Sequence, residues 1–113
     1  MLSNLRNVLY KIDNEYHTQL TLEQLAEVAN LSPNYFCRFF KKVTSLSPIE
    51  YLITYRINIA EYMLRTTDRS ITDVALSCGF NDSSHFIKYF RKYKGVTPKQ
   101  YRIEIARIKR SRA

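Results

Sequence analysis

Two runs of the chain place polar and basic side chains at helical spacing opposite a pair of phenylalanines. Phe36 and Phe40 are one helical turn apart, and Phe86 and Phe90 repeat that spacing. If each pair faces a core, the opposite side of each helix carries hydrogen-bond donors, acceptors and cations. These outward positions are Pro33, Asn34, Cys37, Arg38 and Lys41 in the first run, and Ser83, Ser84, Ile87, Lys88 and Arg91 in the second. Such a surface is suited to binding a polyanion.

Residues that support catalysis or metal binding do not occur at suitable spacing. The sequence has no pair of carboxylates with a supporting base, no nucleophile with a histidine partner and no phosphate-binding loop. Cys37 and Cys78 form no CxxC pair, and His17 and His85 are not at a metal-ligand spacing. We therefore predict a binding protein that is not an enzyme and uses no metal or other cofactor. His85 is predicted to be a partly buried packing residue.

The net charge of +8 is spread unevenly over the 113 residues. Residues 1–30 carry two basic and four acidic side chains, whereas residues 67–113 carry eleven basic and four acidic ones. The acidic start is therefore not expected to face a polyanion, whereas the basic remainder is. A solvated basic face is the alternative interpretation of the charge. Because no signal peptide or membrane-spanning run occurs, we expect a chain in the cytoplasm without membrane contact.

The local signals for secondary structure are mainly helix starts. Thr21 to Gln24, Ser47 to Glu50 and Thr97 to Gln100 each match a capping box. With two glycines and three prolines there is little turn material. These patterns predict an all-α chain of seven helices, at roughly 3–18, 22–29, 33–43, 48–65, 71–78, 83–93 and 98–108.

The sequence also contains an internal repeat. Phe36, Phe40, Ser47, Pro48 and Tyr51 recur fifty residues later, but Leu25-Ala26 matches Val74-Ala75 at an offset of forty-nine. The second copy therefore has one extra residue in the turn between its helices. Each copy reads as a short helix, a tight turn and a second helix, which is a helix-turn-helix. The predicted packing residues are Leu22, Leu25, Ala26, Ala29, Leu31, Phe36, Phe39 or Phe40, and Val43 in the first copy, and Ile71, Val74, Ala75, Cys78, Phe86, Tyr89 or Phe90, and Tyr93 in the second.

The runs LAEVANLSPNYFCRFFKKVTSLSPIEYL and ITDVALSCGFNDSSHFIKYFRKYKGVTPKQYR together resemble the DNA-binding domain of the AraC/XylS family of transcription regulators. The similarity covers about residues 5–103. It implies a bacterial regulator that binds double-stranded DNA, activates transcription through RNA polymerase, and in many relatives is joined to a sensor or dimerisation domain. One departure is Ser45, where relatives usually have glycine. We therefore expect the preceding helix to end with a different cap.

Within this single DNA-binding domain we predict a first subdomain at about 1–47, a linker helix at about 48–65, a second subdomain at about 66–108 and a basic tail at 109–113. The linker stripe of Tyr51, Leu52, Tyr55, Ile59 and Met63 is predicted to pack against both motifs. Eighteen helical residues span about 27 Å, and successive major grooves on one face of DNA are about 34 Å apart. The resemblance implies that one chain contacts two adjacent grooves.

The outward side chains have chemically distinct roles. Arg38 can donate two hydrogen bonds to guanine, Lys88 can donate to guanine or a phosphate, and Asn34 can pair with adenine. Cys37 and Ile87 offer apolar contact to a thymine methyl. The predicted base contacts are Asn34, Cys37, Arg38, Ser83, Ser84, Ile87 and Lys88, and the predicted phosphate contacts are Pro33, Lys41, Lys42, Arg91 and Lys92. We expect the first copy to supply more base discrimination and the second more phosphate affinity. A nonspecific nucleic-acid-binding module is the alternative.

Overall fold

The computed structural model describes residues 2–112, and over that range it contains seven α-helices and no strand. This confirms the all-α prediction. None of these helices is both long enough and apolar enough to cross a membrane. The helices are α1 (Leu2–Glu15), α2 (Leu22–Val28), α3 (Pro33–Thr44), α4 (Pro48–Thr66), α5 (Ile71–Ser77), α6 (Ser83–Lys94) and α7 (Pro98–Arg112).

The two outer helices differ most from their predicted bounds. α1 ends at Glu15 rather than at 18, because Thr18 turns back and donates both its backbone N–H and its hydroxyl to the Glu15 carbonyl, at 2.9 and 2.7 Å. α7 continues to Arg112, past the predicted end at 108. Lys109 Nζ donates to the Arg65 carbonyl at 2.8 Å, and basic residues in the last turn suit the helix dipole. The segment predicted as a basic tail is therefore helical as far as it is described.

The chain divides into two compact units, and the boundary lies inside α4 between Tyr55 and Arg56. In the first unit α1, α2 and α3 bury a core that includes Val8, Ile12 and Leu25, with Tyr51 and Tyr55 packed against it. The apolar residues buried in the second unit are Ile57, Ala60, Leu64, Val74, Ala75, Cys78, Phe80, Phe86 and Phe90.

The predicted apolar stripe of α4 is only partly correct. Leu52 is buried as expected, but Ile59 and Met63 are half-buried. The fully buried residues beyond Tyr55 are Ile57, Ala60 and Leu64. The predicted stripe therefore followed the wrong side of the second half of α4, where Ile57, Ala60 and Leu64 recur at helical spacing on the buried side.

Both short helices end in the same hydrogen-bonded turn. After α2, Asn30 has a φ of 60° and the Leu31 N–H donates to the Ala26 carbonyl at 3.0 Å. After α5, Gly79 has a φ of 100° and the Phe80 N–H donates to the Ala75 carbonyl at 3.1 Å. These are Schellman motifs, which need a left-handed residue at the turn. The two turns match residue for residue as far as Leu31 and Phe80. The extra residue predicted for the second copy follows there, as Asn81.

Each second helix is anchored by a chain of three aromatic rings. In the first unit the rings of Phe36 and Phe40 lie 5.6 Å apart, and Phe40 lies 5.5 Å from Tyr51. In the second unit Phe86 and Phe90 lie 5.7 Å apart, and Phe90 lies 5.6 Å from Tyr101. All four phenylalanines are completely buried. They hold the predicted outward faces of α3 and α6 away from the core.

Val43 and Ser45 correct two predictions at the end of α3. Val43 was predicted to pack, but 46% of it is exposed because the last turn of α3 extends beyond the phenylalanine pair. Ser45 was expected to bring a different cap. Instead it adopts the left-handed conformation itself, with a φ of 71°, and its N–H donates to the Lys41 carbonyl at 2.8 Å. Gly95 ends α6 in the same way, with a φ of 81°.

Replacing Gly95 with serine and replacing Ser45 with glycine should change the free energy of unfolding in opposite directions. A left-handed conformation costs a non-glycine residue roughly 1 kcal/mol. We therefore expect Gly95→Ser to lower the free energy of unfolding by about 1 kcal/mol and Ser45→Gly to raise it by a few tenths to 1 kcal/mol. A Cβ at Gly95 would meet no atom within 4 Å, so its cost comes from the backbone alone. Urea denaturation followed by circular dichroism measures both changes. Destabilisation by Ser45→Gly would contradict this account of the cap.

Candidate nucleic-acid interface

The first turns of α3 and α6 are built alike. The Ser32 hydroxyl accepts the N–H of Tyr35 at 3.3 Å, and Asp82 Oδ1 accepts the N–H of His85 at 2.9 Å. The hydrogen bond from the His85 backbone lowers the pKa of the Asp82 carboxyl below its usual value. Each cap satisfies one free donor of the first turn and fixes where the helix begins. The residues that follow are thereby held at a defined N-terminus, which is the part of a recognition helix that meets base edges.

The outward face of α3 is largely as predicted. Pro33, Asn34, Arg38, Lys41 and Lys42 are exposed, whereas Cys37 is half-buried at the edge of the face. Among residues 2–112, no carboxylate lies within 4.0 Å of the charged groups of Arg38, Lys41 or Lys42. The face therefore presents a donor and acceptor amide, one guanidinium and two ammonium groups to solvent.

The outward face of α6 has the same layout with different chemistry. Ser84, Lys88, Arg91 and Lys92 are exposed, Ile87 is 38% exposed, and Ser83 is half-buried. Lys88 Nζ lies 5.8 Å from the centre of the Tyr89 ring, and Lys92 Nζ lies 5.4 Å from that of Tyr93. Both are distances at which a ring and a cation attract each other. The structure thus places all the predicted contact residues on the two faces, with Cys37 and Ser83 at their margins.

The histidine of α6 was predicted wrongly. His85 is exposed rather than partly buried, and its Nδ1 lies 3.2 Å from Asp82 Oδ2. His85 lies three residues after the helix cap Asp82, and its side chain is on the surface, whereas Phe86 and Phe90 are buried. The residue fifty positions earlier is Tyr35, which is also exposed. Tyr35 and His85 are thus exposed rings at equivalent positions of the internal repeat, and that repeat is the sequence signal that could have identified them.

Two basic residues that the sequence analysis did not single out stabilise the second unit. The Arg102 guanidinium donates to the carbonyls of Leu64, Thr67 and Arg69, at 3.3, 3.2 and 2.6 Å. It thereby ties α7 to the end of α4 and the following loop. Lys94, at the end of α6, donates from Nζ to Asn58 at 2.8 Å and lies 3.1 Å from Glu61. These positively charged side chains support the fold of the unit that carries α6.

Within residues 2–112, Cys78 has a buried thiol, and the acidic side chains belong to no metal-binding cluster. Cys78 is buried, and burial raises the pKa of its thiol to about 11, which keeps the thiol protonated. Within the same range no group of three histidine, cysteine or acidic side chains is close enough together to hold a metal ion.

A family signature described as a helix-turn-helix domain matches residues 25–104, which is most of the chain. A transcriptional regulator with an AraC-type DNA-binding domain from Chromobacterium violaceum has a similar structure, with a TM-score of 0.84 and 26% identity, over 93% of this chain and 94% of that one. This chain belongs to the AraC/XylS family of transcription regulators. The DNA-binding domain of AdpA, solved in complex with a target DNA, is similar with a TM-score of 0.86 and 32% identity, over 97% of both chains.

Among the curated relatives, the melibiose operon regulatory protein of Escherichia coli is 41% identical over 91 residues. That match covers 80% of this chain but 30% of the relative. The uncharacterized HTH-type transcriptional regulator YtdP of Bacillus subtilis is 35% identical over 96 residues, which is 85% of this chain and 12% of that regulator. The chain therefore corresponds to a minor part of the length of these relatives.

Proposed function

We propose that this chain binds double-stranded DNA in a sequence-specific manner through α3 and α6 and thereby regulates transcription. The observation that carries the proposal is the duplicated arrangement of the two helices. Each begins at a side-chain cap, is fixed by a buried phenylalanine pair, and presents polar and basic side chains on its exposed side. That is the geometry of a recognition helix in a helix-turn-helix. The similarity to a family member solved with its target DNA supports it further.

We assign the two kinds of DNA contact by the chemistry of the exposed groups. Side chains near each N-terminus have the donors, acceptors or apolar groups that distinguish base pairs in the major groove. Cations further along each helix, together with Pro33 at the start of α3, are assigned to phosphates, which fix register without reading sequence. The proposed base contacts are Asn34, Cys37, Arg38, Ser83, Ser84, Ile87 and Lys88, and the proposed phosphate contacts are Pro33, Lys41, Lys42, Arg91 and Lys92.

We further propose that α3 and α6 of one chain occupy two successive major grooves. α4, with 19 residues, spans about 28 Å at 1.5 Å per residue. This is comparable with the separation of about 34 Å between successive grooves on one face of DNA. We also propose activation of transcription through contact with RNA polymerase, control by a sensor or dimerisation domain, and action in the cytoplasm. The regulatory role of the melibiose operon relative supports the transcriptional part of this proposal.

A binding assay with two duplexes tests the central proposal. A duplex obtained by binding-site selection and a scrambled duplex of the same composition are titrated at several salt concentrations. We expect the selected duplex to bind at least a hundredfold more tightly. The slope of log K against log salt should be about −4 or steeper, because each phosphate neutralised contributes about −0.9. Equal affinity for both duplexes would contradict sequence-specific binding and favour the nonspecific module, and competition by single-stranded RNA would identify an RNA-binding one.

A further inference from the structure

One flank of α3 forms a groove with an apolar floor and a basic rim, which we name the α3 groove. Tyr35, Phe39 and Val43 form the floor, and Arg38 and Lys42 form the rim, around a cavity of about 590 Å³. Tyr35 is 44% exposed and Val43 is 46% exposed. Phe39 is half-buried and packs against the core of the first unit. The floor is thus an apolar stripe at four-residue spacing that continues outside the core.

The second copy of the motif lacks this groove chemistry. Phe39 and Val43 of the floor have no polar group, whereas all three equivalent positions fifty residues later hold rings that have one, and both rim positions there hold lysines. The five equivalent residues are His85, Lys88, Tyr89, Lys92 and Tyr93. His85 faces Asp82, and the two tyrosines lie beside the two lysines. The apolar floor is therefore a property of the first copy and is not required by the helix-turn-helix fold.

The position of the groove defines what can occupy it. Its rim contains Arg38, so the groove lies beside the side chain that we assign to a guanine. The Arg38 guanidinium lies 6.0 Å from the centre of the Tyr35 ring. Tyr35 is also the third residue of α3, within the part of the helix that meets base edges. The basic rim complements a polyanion, and none of the described residues that line the groove is acidic.

The apolar floor selects a particular group of the DNA. In the major groove the 5-methyl group of thymine is the one apolar group that distinguishes a base pair. We infer that Tyr35 is a further specificity-determining residue, whose exposed ring receives the 5-methyl group of a thymine next to the base pair that Arg38 contacts. This inference rests on the proposed function. It adds a thymine preference in the half of the site bound by α3 to the contacts assigned above to Cys37 and Ile87.

Removal of single methyl groups from the DNA tests this directly. In the selected duplex each thymine is replaced in turn by deoxyuridine, and the affinity of the native chain is compared with that of Tyr35→Phe and Tyr35→Ser. For the native chain and Tyr35→Phe we expect one position next to the Arg38 guanine to lose about three- to fivefold in affinity, the effect of one buried methyl group. Tyr35→Ser should bind the thymine and deoxyuridine duplexes at that position equally.

The comparison is internally controlled because each variant is measured on two duplexes that differ by one methyl group. His85→Ala, at the equivalent position in α6, should leave the methyl effect of the α3 half-site unchanged. A methyl effect that persists in Tyr35→Ser, or no methyl effect in that half-site, would overturn the inference while leaving sequence-specific binding intact. If the native chain shows no methyl effect in that half-site and Tyr35→Ser binds the selected duplex as tightly as the native chain does, the groove is assigned to a protein partner instead. Equal affinity for selected and scrambled duplexes would refute the proposed function itself.

Discussion

Arg38→Ala is expected to weaken binding to the selected duplex by about ten- to a hundredfold while affecting a scrambled duplex much less. Arg38 is exposed at the centre of the outward face of α3, where a planar guanidinium can donate two hydrogen bonds to a guanine. A bidentate contact of this kind contributes about 1–3 kcal/mol of discrimination. Titration of both duplexes at one fixed salt concentration measures the ratio. We expect the preference at a single base pair to be lost.

Two matched variants separate base reading from phosphate binding. Lys88→Ala, the equivalent change in α6, should cost less discrimination than Arg38→Ala because an ammonium group cannot make the planar bidentate contact. Lys92→Ala should weaken all duplexes by a similar factor and make the salt slope less steep by about 1. If Arg38→Ala weakened selected and scrambled duplexes equally, Arg38 would be a phosphate contact and the proposed division between the two copies would be wrong.

Arg102→Ala is expected to destabilise the second unit by about 2–3 kcal/mol. The substitution removes three hydrogen bonds from a charged donor, and two of the three acceptor carbonyls lie in partly buried surroundings. A partly buried carbonyl left without its partner costs about 1–3 kcal/mol. Thermal and urea denaturation followed by circular dichroism measure the loss. DNA affinity should fall with it at temperatures where the second unit unfolds.

Lys109→Ala provides the control for Arg102→Ala. Lys109 also donates to a carbonyl of the end of α4, that of Arg65, but through one exposed hydrogen bond. Its removal should cost less than about 0.5 kcal/mol. Arg102→Lys should recover little of the lost stability, because a single ammonium group cannot reach three carbonyls in the geometry of a guanidinium. Native-like melting of Arg102→Ala would show that α7 is held by its apolar contacts alone.

The features that the sequence predicted correctly depend on neighbours in the chain. The capping residues Thr21, Ser47 and Thr97 bind the backbone three residues away, so their role can be recognised from spacing. The burial of Phe36 and Phe86 follows from the helical period and from the repeat. Together these local rules defined the helices, the duplicated motif and the outward faces.

The features that were missed or predicted wrongly depend on residues distant in the chain. Arg102 donates to carbonyls more than thirty residues earlier, and Lys109, in the part of α7 beyond its predicted end, donates to the Arg65 carbonyl. Val43 has an apolar side chain, but its burial depends on whether another element covers the last turn of α3. Ser45 was judged by the residue type usual at its position, whereas the cap needs only the left-handed conformation, which serine adopts at a modest cost.

The measurement that tests the account most directly is a hydroxyl-radical footprint of the selected duplex at a ratio of one chain to one duplex. If α3 and α6 of one chain enter successive major grooves, two protected segments should appear on the same face of the DNA, with centres about 10 base pairs apart. Arg38→Ala should weaken protection mainly in one segment, and Lys88→Ala mainly in the other. A single protected segment, or two segments that appear only when two chains are bound, would contradict the account.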